Sequence, residues 1–197
     1  MLLPVPECQA LMEALSQPIK QAGETIMEIH ARGVVAREKP DGSPVSEADE
    51  AAEAILLAAL ADLAPDIPVI SEENAASHAV AAPEQFFLVD PVDGTREFLR
   101  PDGNGAFTVN IGLVQNGAPV MGIVLAPALD RAFRGVVGIG AVEVAGGATR
   151  VLLVRPVRKL FRCNLISRKS RGWQAIRHRH FEMKTLQSAN PIQLLTA

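Results

Sequence analysis

The stretch that decides the fold is FFLVDPVDGTREF, residues 86–98. Phe86 to Val89 form an apolar run that ends on Asp90, with Asp93 close behind and Gly94 and Thr95 directly after it. A short apolar run bounded by turn residues reads as a buried strand. Two carboxylates at the mouth of such a strand, beside a Gly-Thr turn, need a physical reason. A second acid pair, Glu72 and Glu73, closes the preceding apolar stretch, PVISEEN, residues 68–74. Acid pairs at the ends of neighbouring strands repel unless a cation lies between them. Carboxylate, carbonyl and water oxygens are the ligands of a hard ion such as Mg²⁺, which also takes phosphate oxygens. A helix opening at Gly94-Thr95 would aim backbone N–H groups at an anion. The stretch reads as half of a metal-plus-phosphate site.

Outward from it, residues 7–31 show helical periodicity through Leu11, Leu15, Ile19, Ile26 and Ile29, with Pro18 expected to kink or break the helix. Ser46, with Asp49 three residues on, reads as a capping box opening a second helix to about Leu63, which Pro65 helps to end. Beyond the quoted stretch, FTVNIGLVQNGAPVMGIVLAP (residues 107–127) holds two β-rich runs joined by Asn116-Gly117, a hairpin signal. Short strands separated by glycines follow. Helices first and mostly antiparallel strands after them give an α+β layered domain.

The chain has 197 residues, 48% of them hydrophobic and 21% charged, which is the profile of an ordinary globular domain. Its most apolar run, AILLAALADLA (residues 54–64), is short and interrupted by Asp62, so no membrane-spanning helix is expected. The N-terminus lacks the basic region of an export signal. Two cysteines, Cys8 and Cys163, form no CxxC and no framework, which suits a reducing, cytoplasmic compartment. The net charge of −3 hides a break: residues 1–149 carry 8 Lys/Arg and 21 Asp/Glu, whereas residues 150–197 carry 11 Lys/Arg and one acid, Glu182. Such a change marks a boundary. We therefore expect residues 1–150 as a metal- and phosphate-binding α+β domain and 151–197 as a separate basic segment.

Each acidic element has a plain reading when taken alone. Asp-Gly is most often a turn; Asp49 is a helix-start carboxylate facing water or the macrodipole; Glu-Glu is a solvated loop end; Ser46 is only a cap, with Glu47 and Glu50 on the surface. His30 and His78 have no partner at ligand spacing and read as exposed or packed. The combination is what carries information. GSPVSEADEAAE, VISEEN, VDPVDGTREF and FTVNIGLVQNGAPVMGIVLAPALDRAFRG together resemble the Mg²⁺-dependent phosphomonoesterases of the inositol monophosphatase superfamily. TREF followed by FTVNIGLVQNG is most similar to its bacterial 3′(2′),5′-bisphosphate nucleotidases. The resemblance spans residues 7–168. It implies a layered sugar-phosphatase-type fold, with Glu72, Asp90 and Asp93 as metal ligands and the Val92 carbonyl joining them. Glu73 would orient a metal-bound water. Thr95 would hydrogen-bond Asp49, the pair positioning and deprotonating the attacking water, and the Gly94 and Thr95 amides would hold the phosphate.

The resemblance also implies a second α/β part with a Trp-Asp motif that completes the metal cluster. Trp173 is the one tryptophan here, and Gln174 follows it; after Asp130 the acids are Glu143 and Glu182. LISRKS, residues 165–170, still resembles the family, and the remainder does not. The C-terminal α/β part is thus expected to be largely missing, with the basic segment a truncated or frame-shifted remnant. The rival readings are a nucleic-acid or membrane-surface arm and an ordinary surface helix with His178 and His180 solvated. Implied is a Mg²⁺-dependent enzyme removing the 3′-phosphate of adenosine 3′,5′-bisphosphate or its sulfated form. The alternatives are an inositol-1-phosphate phosphatase and a catalytically dead remnant that binds metal or nucleic acid. The expected partner is a small phosphate ester rather than nucleic acid. A homodimer, and peripheral contact of the basic segment with the inner membrane face, are compatible with the composition.

Overall fold

The computed structural model describes residues 2–34, 36–38, 44–79, 83–100 and 107–153. Helix α1 (Val5–Arg32) and helix α2 (Glu47–Leu63) flank a two-stranded ladder, β1 (Ala36–Glu38) with β2 (Pro44–Ser46). Then come β3 (Val69–Ser71), β4 (Gln85–Asp93), the single turn α3 (Thr95–Phe98), β5 (Thr108–Gln115), β6 (Ala118–Ala126), β7 (Arg131–Val136), β8 (Gly140–Ala145) and β9 (Ala148–Leu152). Strands β3 to β9 form one sheet in sequence order. Only β3 and β4 pair in parallel, and every later pair is antiparallel. The α+β layered architecture read from the sequence is the one observed. The composition break near residue 150 falls within β9, and the rest of the basic segment, with Cys163, Trp173, His178 and His180, lies outside the described residues.

The helices form because their apolar positions make stripes. Cys8, Leu11, Met12, Leu15, Ile19, Ala22, Ile26 and Ile29 are the buried face of α1, and Ala48, Ala52, Leu56 and Leu60 that of α2. Both stripes cover one face of the sheet, meeting Phe87 and Val89 of β4, Val109, Ile111 and Leu113 of β5, and Met121, Ile123 and Leu125 of β6. Of the kink or break expected at Pro18, the break does not occur: α1 runs continuously through it, with Leu15 and Ile19 on either side buried. The proline removes one ladder hydrogen bond from a helix whose stability comes from its packed face. At Gly23 α1 comes close to the end of β6. A Cβ there would lie 2.6 Å from Leu125 Cδ2 and 3.1 Å from Pro127 Cβ.

The Asn116-Gly117 hairpin is present. Both residues have positive φ, 51° and 72°, as a two-residue type I′ connection requires, and Gln115 faces Ala118 across it. Strand β4 is longer than its apolar run suggested, continuing through Pro91 to Asp93. Pro91 is tolerated because β3 pairs only as far as Val89 and the register with β5 is irregular between Asp90 and Asp93, so no ladder bond needs its missing N–H. This irregular end of β4 carries the two aspartates.

Candidate active site

Three segments meet at the C-terminal ends of β3 and β4. The first is the start of α2. Ser46 and Asp49 form the expected capping box: Asp49 Oδ2 accepts from the Ser46 backbone N–H at 2.8 Å and from its hydroxyl at 2.6 Å, and the Ser46 hydroxyl accepts from Ala48 N–H at 3.2 Å. Taken alone, Asp49 reads as a helix-start carboxylate facing water or the macrodipole; it does stand at the helix start, but it is fully buried away from water, as is Ser46. Two donors hold Oδ2, which leaves Oδ1 turned toward Thr95, whose Oγ1 lies 3.4 Å away. The hydrogen bond implied by the resemblance is therefore present, and long. The same hydroxyl lies 3.0 Å from the Val92 carbonyl, so its single proton has two acceptors to choose from. Glu47 and Glu50 do stay toward the surface, paired with Arg32 at 2.9 Å and Arg37 at 2.6 Å.

The second segment follows β3. Ser71 is buried and its hydroxyl donates to Glu53 of α2, while Glu72 N–H donates to the Val89 carbonyl at 3.0 Å, fixing the acid pair beside β4. Glu72 is exposed and Glu73 half-buried. His78 is half-buried, with Nε2 2.7 Å from the Ser71 carbonyl, and His30 packs its ring 5.2 Å from that of Phe98.

The third segment is the end of β4 and α3. Asp90 is buried and Asp93 half-buried. Burial pushes the Asp90 carboxyl well above the ordinary aspartate range; the charges of Glu72 and Asp93 add to this, as do a side-chain contact with Glu72 and the charge of Asp49. Asp93 is pushed up to about 6 by burial, then by Glu72 and Glu97. The acids thus sense one another as unneutralised like charges. Among the described residues no three His, Cys, Asp or Glu side chains converge as a ready-made metal cage. The donor set nonetheless suits a hard divalent ion: it is all oxygen and carries several carboxylates.

Gly94 caps α3 with left-handed backbone, φ 92° and ψ 36°, directly before right-handed Thr95. The expected helix is only this one turn, so no macrodipole of useful size accumulates. Successive left- and right-handed residues instead make a small concavity of N–H groups, which is itself suited to an anion. Two neighbours escaped the sequence reading. Glu97 acts on Asp93 from within the TREF turn. Asn110, opposite Asp90 on β5, is buried; its signal was a polar residue inside the apolar run TVNIGLV.

A profile of the inositol monophosphatase family matches residues 8–192, reaching past residue 168, where the motif resemblance ended. The chain is 43% identical over 122 residues to the 3′(2′),5′-bisphosphate nucleotidase CysQ of Salmonella typhimurium, covering 60% of this chain and 49% of that protein. It is 36% identical over 151 residues to the protein of the same name from Shigella flexneri, covering 75% and 60%. Among solved structures it resembles CysQ from Bacteroides thetaiotaomicron, described as a bacterial member of the inositol monophosphatase family (TM-score 0.59, 31% identity, 78% of this chain and 61% of that one). It also resembles the extragenic suppressor protein suhB of Bartonella henselae (TM-score 0.62, 28% identity, 78% and 58%). The chain spans roughly half of the curated relatives it matches. The capped acid of α2, the acid pair after β3 and the Asp-Pro-Val-Asp-Gly-Thr end of β4, in this fold and with these likenesses, place the chain in the inositol monophosphatase family.

Proposed function

We propose that the chain carries the catalytic half of a Mg²⁺-dependent phosphomonoesterase that removes the 3′-phosphate from adenosine 3′,5′-bisphosphate. The observation that carries this reading is the acid cluster of Glu72, Asp90 and Asp93 beside the buried Asp49 and its hydrogen bond from Thr95. The likeness to nucleotidases supports this substrate over an inositol phosphate: among solved structures a CysQ is 31% identical and an Anabaena inositol monophosphatase 26%, and curated CysQ proteins are 43% and 36% identical.

Glu72, Asp90, Asp93 and the Val92 carbonyl would hold the metal, which when bound supplies Lewis acidity and a water of lowered pKa. The rest is the work of this chain's residues. The Ser46 donors anchor one oxygen of Asp49 and leave the other for Thr95. Thr95 Oγ1 can then take a proton from the attacking water while passing its own to Asp49 Oδ1. Water oxygen bonds to phosphorus as the phosphorus–3′-oxygen bond breaks, and the departing 3′-oxygen is protonated, giving inorganic phosphate and a 5′-monophosphate. The amides of Gly94 and Thr95 would hold the phosphoryl oxygens in line, which is most of what such a transition state needs from a protein. Glu73 would orient the attacking water.

The test is phosphate release from adenosine 3′,5′-bisphosphate by the 197-residue chain, with Mg²⁺ and with EDTA, beside Asp90→Asn. Mg²⁺-dependent release that Asp90→Asn abolishes supports the reading. A folded chain that binds Mg²⁺ through Asp90 but releases no phosphate refutes the activity and leaves a binding remnant.

A further inference from the structure

Asp90 of β4 and Asn110 of β5 stand directly opposite each other in the antiparallel ladder. Paired residues project from the same face, with Cβ atoms about 5 Å apart. That face is turned away from the helices. On β5 the odd-numbered Val109, Ile111 and Leu113 pack under α1 and α2, while Thr108, Asn110, Gly112 and Val114 look the other way. Asn110 is only 8% exposed. Its Nδ2 donates to Thr108 Oγ1 at 3.1 Å, and its Oδ1 has no hydrogen-bond partner among the described residues.

A buried carbonyl oxygen without a donor is costly, and leucine, of nearly the same shape, would avoid that cost. The nearby acids cannot supply the missing donor when ionised, because carboxylates only accept. With the acids ionised, as holding a cation requires, the pocket lacks an O–H or N–H donor beside Asp90. A hydrated Mg²⁺ held at Asp90 would bring such donors, since this ion keeps several of its waters. We propose that Asn110 is a positioning residue for the metal, its Oδ1 accepting a hydrogen bond from the hydration shell of the ion that Asp90 holds. The inference rests on the metal-dependent reading above.

The experiment is a Mg²⁺ titration by calorimetry, with thermal unfolding in EDTA as the second readout, on the 197-residue chain and on Asn110→Leu, Asn110→Asp and Asp90→Asn. Partners of this kind tune metal affinity by about 10–100-fold. Asn110→Leu is expected to weaken Mg²⁺ binding at least tenfold while its metal-free melting temperature holds or rises. Asn110→Asp keeps the accepting oxygen, so it is expected to retain Mg²⁺ affinity and to melt lower in EDTA. Unchanged affinity in Asn110→Leu with a lower metal-free melting temperature would mark a packing residue and overturn the inference. Should Asn110→Leu fail to fold, loss of affinity in a folded Asn110→Asp overturns it equally. A wild-type chain that binds no Mg²⁺ brings down the metal-dependent reading itself, and the inference with it.

Discussion

Asp93→Asn should make the metal-free protein more stable and abolish the phosphate release proposed for it. The carboxyl of Asp93 rises from 3.8 to about 6 on folding, driven by burial and by the charges of Glu72 and Glu97. The sign follows from linkage: a folded-state pKa above the unfolded one means that the native chain binds the proton more tightly. The associated stability is complete below pH 3.8 and is lost as pH climbs through about 6. That rise sets a ceiling of about 3 kcal/mol on the cost of ionised Asp93 at pH 7.5. The side chain is only half-buried, so solvent screening brings the expected cost to about 1–2 kcal/mol. Asparagine has the same shape and no charge. In EDTA at pH 7.5 the variant should therefore melt about 3–6 °C above wild type, and the two should converge near pH 4. Added Mg²⁺ should raise the melting temperature of wild type and leave that of the variant nearly where it was. Urea or thermal unfolding followed by circular dichroism, at both pH values with EDTA and with Mg²⁺, measures all of this. A variant no more stable than wild type at pH 7.5 without metal would refute the claim that these acids stand as uncompensated like charges.

Three further outcomes follow from the packing and the site. Thr95→Val should lower kcat for phosphate release by about 10²–10⁴-fold while leaving Mg²⁺ affinity nearly unchanged, since it removes a proton path and no ligand; parallel loss of metal binding would contradict that role. Gly23→Ala places a methyl 2.6 Å from Leu125 Cδ2, and such overpacking should cost about 1–3 kcal/mol in chemical denaturation; a variant as stable as wild type would mean that α1 sits farther from β6. Glu143 is held below the ordinary glutamate range by its hydrogen bond to Arg131, then by that to Arg150. Its contribution is present at neutral pH and is lost as pH falls through the lowered value, so Glu143→Gln should flatten the acid side of the stability–pH curve.

What the sequence disclosed was local. The Ser46 cap, the Asn116-Gly117 turn, the stripe of α1 and the extent of α2 depend on residues within a few positions of one another, and all appear as read. The acids of the site were recognisable because their strand-end positions can be counted along the chain. What escaped depends on distant partners. A capping aspartate looks the same in a sequence whether its second oxygen faces water or a threonine 46 residues away, so the burial of Asp49 could not be counted out. Asn110 drew no notice because its meaning comes from register, which puts it opposite Asp90. Pro18 does not break α1 because the rule against proline in helices concerns backbone bonds, and here side-chain packing on both sides of it prevails.

The sequence-order sheet has a kinetic consequence. From β5 to β9 each strand pairs with its successor across a short connection, so loop closure costs little and this part can zip up turn by turn. The parallel partnership of β3 with β4 and the approach of α2 to Thr95 require longer excursions of the chain. The acids that define the chemistry therefore meet only when those slower closures are made. The meander can be complete while the pocket is still unassembled, and damage at the pocket should speed unfolding more than it slows folding.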